Sequence, residues 1–161
     1  MTQTESAPML LTPASLLAHW QGHRRLTRRV IEAFPEDQLF SFSVGGMRPF
    51  GVLAWEILTI STYLMNALHT DQWGAETMSR EPKPQERTAL LAEWDALTAR
   101  LDAELPGTSA ALLTTEKDLP FGRQTPTAAA FYMIDNEVHH RGQGYVYLRA
   151  LGIEPPPFWE R

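Results

Sequence analysis

Apolar residues recur every three to four positions over four long stretches of the chain, and prolines and glycines fall between the stretches. The first runs from about Pro13 to Phe34. Thr12 is a good N-cap, Pro13 suits a first helical turn, and Pro35 closes the segment. Leu16, Trp20, His23, Thr27, Val30, Ile31 and Phe34 share one side, while Arg24, Arg25, Arg28 and Arg29 lie largely on the other. From about Pro49 to His69, "PFGVLAWEILTISTYLMNALH" is apolar on nearly every face, which predicts the most buried helix of the set. A third segment, from about Pro84 to Leu105, is amphipathic, with Leu90, Leu91, Trp94, Leu97 and Leu101 as its stripe. The fourth spans about Thr125 to Leu151: Thr125 caps it, Pro126 starts it, and Gly152 stops it ahead of "EPPP".

The connections differ in character. "SFSVGGMRP" is glycine-rich and irregular, and "TDQWGAETMSREPKP" is a polar loop with proline near its end. "PGTSAALLTTEKDLPFGRQ" is long enough to hold a short strand or a turn of helix. Four helices in 161 residues, without internal repeats, predict an all-α four-helix bundle. One domain should cover residues 1–161, with 1–11 as a flexible N-terminus, and the long loops leave the topology open.

Composition narrows the function classes. A net charge of −5 argues against general nucleic-acid binding, because phosphate neutralisation needs a basic surface. With no cysteine, the chain has no disulfide, no thiolate ligand and no thiol nucleophile of its own. "MTQTESAPMLLTPASLL" lacks the basic start of a signal peptide, and no apolar run approaches the ~18 residues of a membrane span. The expectation is a cytoplasmic protein without a membrane partner.

Two places carry polar chemistry inside apolar helices. Glu56, in "LAWEILTI", is the one carboxylate of the second helix, and a buried carboxylate needs a partner or a ligand. The fourth helix holds Asp135, Asn136, Glu137, His139 and His140 together. Asn136 and His140 lie one turn apart on one face, as do Asp135 and His139 on another, and only one pair can face squarely inward. Periodicity does not choose between them, although the row of Ala129, Met133, Asn136, His140, Gln143 and Tyr147 is the preferred inner one.

"NEVHHRGQGYVYLRALG", with "MRPFGVLAWEIL" at the start of the second helix and the "LGIEPPPF" tail, resembles the DinB/YfiT-like superfamily of four-helix bundles over nearly the whole chain. That family, distinct from the DNA polymerase of the same name, comprises metal-dependent hydrolases and thiol-dependent transferases of stress response and detoxification. Its pattern takes one histidine from the second helix and two from the fourth at H-x3-H, the last just before "RGQ". Those positions here are Glu56, Asn136 and His140, so one of the three is still histidine. The resemblance implies a divalent metal held by Glu56, Asn136 and His140, a homodimer, and attack by water or a low-molecular-weight thiol cosubstrate on an electrophile. A carboxylate and an amide in place of imidazoles shift the preference among Zn²⁺, Ni²⁺, Mn²⁺ and Fe²⁺ toward oxygen-tolerant ions, Mg²⁺ included, and weaken the site. The loss of two histidines also admits the other reading: a bundle with a degenerate site that works as a dimeric binding or interaction protein without chemistry.

The remaining polar residues read more simply. His19 and His23 are four apart, but His23 belongs to the apolar stripe and is expected as a hydrogen-bonded core histidine. His69 suits the C-terminal end of its helix. Glu137 should form a helix-surface pair with Arg141, accept from a ligand behind the metal, or serve as a general base, and Arg141 should reach a carboxylate or carbonyl on another helix. The arginines at 24, 25, 28 and 29 read as a solvated face or an attractor for an anionic cosubstrate, and Trp55 and Trp73 as core or pocket wall. Gly142 and Gly144 cost helix stability, which points to close approach of another helix or a second subunit. "SVGGMRP" lacks the GK[ST] ending of a phosphate loop, and there is no H-E-x-x-H or G-x-S-x-G.

Overall fold

The computed structural model describes residues 11–78 and 83–161. The expectation for the N-terminus therefore falls outside the described residues except at Leu11. Four long helices carry the fold: α1 (Pro13–Ala33), α2 (Phe50–Thr70), α3 (Arg87–Glu104) and α5 (Pro126–Ala150). Between α3 and α5 lie a short helix, α4 (Ala110–Thr114), and an antiparallel hairpin of β1 (Lys117–Leu119) and β2 (Gly122–Gln124). The long connection thus holds both a turn of helix and strands, and the helix expected from Thr125 is the fifth.

Local chemistry sets the ends. Thr12 Oγ1 accepts from Ser15 N at 3.0 Å while Ser15 Oγ accepts from Thr12 N at 2.9 Å, a reciprocal cap ahead of Pro13. At the head of α5, Thr125 Oγ1 accepts from Ala128 N at 3.2 Å. That helix closes through Gly152, at φ +76°, with Ile153 N donating to Leu148 O at 2.9 Å.

α2 packs chiefly on α5, α1 on both α5 and α3, and α3 also on α2, so α1 and α2 sit diagonally across the bundle. The diagonal needs a long connection, and the loop of residues 34–49 supplies it. Phe34 and Phe50 stack at its two ends, with ring centroids 4.9 Å apart, and Gly51 N donates to Leu39 O at 2.8 Å. Among the described residues, α2 alone is long and apolar enough to cross a membrane, and here its apolar surface is buried by its neighbours. Each such fully buried aliphatic side chain contributes roughly 1.5–3 kcal/mol.

The arginine face of α1 needs a correction. Arg24 is not solvated: it is fully buried and reaches α3, with Nη2 donating to Trp94 O at 2.8 Å and Nε to Thr98 Oγ1 at 3.0 Å. Its guanidinium lies 4.3 Å from the Trp94 ring centroid, and Trp94 Nε1 donates back to Arg24 O at 3.2 Å. Two of its three nitrogens thus find acceptors on a neighbouring helix while Nη1 finds none, and a planar charged head bonded and stacked in this way is cheaper to bury than periodicity suggests. Arg28 keeps the expected surface role, with Asp95 at 2.7 Å and Glu32 at 2.5 Å.

Candidate functional site

The packing of α2 against α5 brings Glu56 to His140, 84 residues apart in sequence. Glu56 Oε1 lies 3.1 Å from His140 Nε2. Glu56 Oε2 accepts from Arg48 Nη1, and Arg48 is itself fixed by its carbonyl, which accepts from Tyr147 OH at 3.0 Å. Glu56 is half-buried, its side chain 32% exposed, whereas His140 is buried. Burial pushes the Glu56 carboxyl up, but Arg48 and then His140 outweigh it and hold the group below the ordinary carboxylate value.

The other imidazole nitrogen is committed. Gln143, three residues along α5, donates through Nε2 to Met47 Sδ at 3.3 Å, which leaves its Oε1 to accept from His140 Nδ1 at 2.8 Å. With its proton on Nδ1, a neutral imidazole presents a lone pair at Nε2, and it presents that lone pair to a carboxylate oxygen. In that tautomer two acceptors face each other and a shared cation closes the contact, whereas with the proton on Nε2 the imidazole donates to Glu56 directly. A second proton would serve, and so would a metal ion: 3.1 Å is also about the separation of two donors that bind one ion at about 2.0–2.2 Å. Metal-binding histidines characteristically donate their second ring nitrogen in this way.

A third acceptor is present one turn from His140. Asn136 Oδ1 is buried and accepts no hydrogen bond within the described structure. Among the described residues, no three His, Cys, Asp or Glu side chains converge on one point, and the unpartnered Asn136 amide oxygen is the further donor the expected ligand set calls for. The donor set thus fits a weak divalent site of one carboxylate, one imidazole and one carbonyl oxygen. Arg48 beside the carboxylate competes with the ion for the same negative charge.

The other sequence candidates are placed elsewhere. Asp135 and His139 are exposed on the opposite flank of α5. Glu137 is not on the surface, as a pairing with Arg141 along the helix suggested, but wholly buried between α5 and α1. Thr27 Oγ1 donates to its Oε1 at 2.5 Å, and Arg141 Nη1 lies 3.8 Å away. Burial raises the Glu137 carboxyl, against the pull of Arg24, Thr27 and Arg141. Arg141 also donates to His23 O at 3.2 Å, so it does reach a carbonyl on another helix. His23 is buried and bonded through Nδ1 to Arg141 at 3.1 Å and through Nε2 to Arg161 at 3.2 Å. His69 is exposed at the end of α2, and Trp73 packs in the core, its Nε1 donating to Asp71 at 2.7 Å. Arg48 and Gln143 are the site residues that periodicity did not single out. Gln143 had a signal, since it stands three residues after His140 on the same face, whereas Arg48 lies in a loop and had none.

A family model, that of the DinB family, matches residues 1–161. No curated protein matches the chain. Among solved structures, a DinB-like protein from Bacillus subtilis superposes with a TM-score of 0.72 at 22% identity, covering 91% of this chain and 97% of the other. Another, from Bacillus cereus, gives a TM-score of 0.71 at 22% identity over 92% and 99% of the two chains. The expected all-α bundle is thus found again in two related folds, and the match across all its residues shows that this chain belongs to the DinB family.

Proposed function

We propose that this protein is a divalent-metal-binding member of its family, with Glu56, Asn136 and His140 as ligands. The observation that carries the reading is the acceptor-to-acceptor contact of His140 Nε2 with Glu56 Oε1, fixed by the Gln143 hydrogen bond. A divalent ion at this place supplies Lewis acidity and activates a nucleophile, water or a thiol. The chain's own residues do the rest: Gln143 orients the imidazole, Arg48 orients the carboxylate, and Glu56, 32% exposed, is the side of the contact that solvent reaches. Because the chain has no cysteine, a thiol must come as a low-molecular-weight cosubstrate. The reaction class is hydrolysis or thiol transfer on an electrophile, suited to detoxification or stress response in the cytoplasm.

The second reading is an inert bundle whose Glu56–His140 contact is closed by a proton. Arg48 favours it, since the guanidinium already neutralises the carboxylate. Metal content of chelator-free protein, together with thermal melts in Zn²⁺, Ni²⁺, Mn²⁺, Fe²⁺ and Mg²⁺, separates the two. A ligand that binds only the folded state raises the melting midpoint. The metal reading expects a rise with at least one ion that disappears in His140→Ala. No metal in the purified protein and no rise with any ion would leave the inert bundle.

A further inference from the structure

Both ring nitrogens of His23 face arginines: Arg141 Nη2 lies 3.1 Å from Nδ1, and Arg161 Nη1 lies 3.2 Å from Nε2. A neutral imidazole accepts at one nitrogen and carries its proton on the other, whereas a guanidinium only donates. Arg141 is buried and fixed, its Nη1 donating to His23 O and to Thr27 Oγ1, so Nδ1 is the acceptor. The Nε2 proton then points at Arg161, and two donors meet. Burial, then Arg141, lowers the imidazole to about 4, so at neutral pH the ring holds one proton and not two. An oxygen that accepts from both N–H groups completes the contact.

Arg161 also lines an open cleft of about 460 Å³, together with Arg25, Arg28, Arg29 and Glu160. Arg28 is occupied by Asp95 and Glu32, and Arg29 pairs with Glu160 at 3.6 Å. Arg25 is exposed and forms no hydrogen bond or ion pair among the described residues. Arg25, Arg29 and Arg161 therefore share the one carboxylate of Glu160, in a chain whose net charge is −5. The backbone of α1 makes room for this cluster. Gly22 lies inside the helix, where glycine is disfavoured, and a Cβ there would press on Arg161 Cβ at 3.3 Å and reach Arg25 Nη2 at 3.8 Å. Its missing side chain lets residue 161 lie on α1 beside Arg25.

We propose that this cleft binds the phosphate group of a small molecule, held by Arg25, Arg29, Arg161 and the Nε2–H of His23. Phosphate suits the donors better than a carboxylate does. Its terminal oxygens meet N–H groups from α1 and from the C-terminal segment at once, and its second charge answers the surplus of arginine. The cleft leaves room beyond the phosphate for the rest of the ligand, within the ~300–1,000 Å³ of small-molecule sites. Glu160 opposes the anion and weakens the site. This cleft is separate from the Glu56–His140 contact: His140 faces α2, its neighbour Arg141 faces α1, and α1 and α2 lie diagonally across the bundle. The arginines of α1 thus serve a ligand of their own, and the inference stands whether or not a metal binds at Glu56.

Isothermal titration of the full chain with inorganic phosphate at constant ionic strength tests this, with succinate as the carboxylate comparison and the long-range ¹H–¹⁵N spectrum of the His23 ring beside it. Phosphate should bind at one saturable site, and succinate about tenfold more weakly or less. The spectrum should show the ring proton on Nε2 and shift with the same midpoint. Arg25→Gln and Arg161→Gln, both at exposed positions, should each weaken phosphate binding about tenfold or more, and Glu160→Gln should tighten it. Arg123→Gln, the same change of charge on β2, should leave the affinity within about twofold. No saturable phosphate binding, an equal loss in Arg123→Gln, or a His23 signal indifferent to phosphate would each overturn the site, the last because the chain would then supply the acceptor itself. Succinate that binds as tightly as phosphate would overturn the choice of phosphate. Binding to phosphatidic acid vesicles, weakened by the same two arginine variants while free phosphate stays unbound, would overturn the small-molecule source.

Discussion

His140 Nδ1 donates to Gln143 Oε1 at 2.8 Å, one turn along the same helix, and this bond aims the second imidazole nitrogen at Glu56. It joins a residue that the sequence marks as chemical to one that reads as ordinary. The site depends on both.

Gln143→Leu should therefore weaken divalent-ion binding by about 10–100-fold while leaving all three ligands in place. The opposite direction is expected of Arg48→Met, which removes the cation beside Glu56. Exposed pairs of this kind are worth about 0.2–1 kcal/mol, so affinity should rise about two- to fivefold. Isothermal titration with Mn²⁺ or Zn²⁺ reads both, and wild-type affinity in both variants would remove Gln143 and Arg48 from the site.

His23 should make the fold sensitive to mild acid. Burial, reinforced by Arg141, Arg161 and His19, lowers its imidazole to about 4 from the ordinary 6.5. The unfolded chain takes up a proton that the folded chain refuses, so stability falls as pH drops from 6.5 toward 4, by on the order of 1–2 kcal/mol. The held-down carboxyls of Glu56, Asp71 and Asp95 lose their contributions only lower, as pH falls below their ordinary values of 4.5, 3.8 and 3.8. Glu137 opposes the His23 effect, because its raised carboxyl takes up a proton more readily folded than unfolded, so urea midpoints between pH 6.5 and 4.5 should fall more steeply in the wild type than in His23→Gln. Parallel curves would place the acid sensitivity elsewhere.

Gly144→Ala should destabilise although alanine is the better helix former. The added methyl meets the Phe50 ring at 2.6 Å, and overpacking of this kind costs about 1–3 kcal/mol against a helix gain of about 1. Phe50→Leu in the same chain should recover part of the loss, a non-additivity that thermal melts of the four proteins would expose.

Helix 1 and helix 5 were legible almost to the residue, because their ends are written in local chemistry: Thr12 and Thr125 as caps, Pro13 and Pro126 at the first turn, Gly152 as the stop. Arg24 and Glu137 were not legible. Polar residues are expected outside, and both lie inside only because other helices supply their partners: Trp94 and Thr98 for one, Thr27 and Arg141 for the other. No period along a single helix encodes a partner some 70 or 110 residues away.

The same division holds for the site. The sequence by itself determined four long helices, an apolar α2 and the residue types at positions 56, 136 and 140, because helix period and capping are local. Only the tertiary structure decided that α2 lies against α5, which makes a carboxylate and an imidazole neighbours and turns α5 so that His140 faces in and His139 faces out. That outcome belongs to packing, since a helix is free to rotate about its axis until the neighbouring helices bury one face of it.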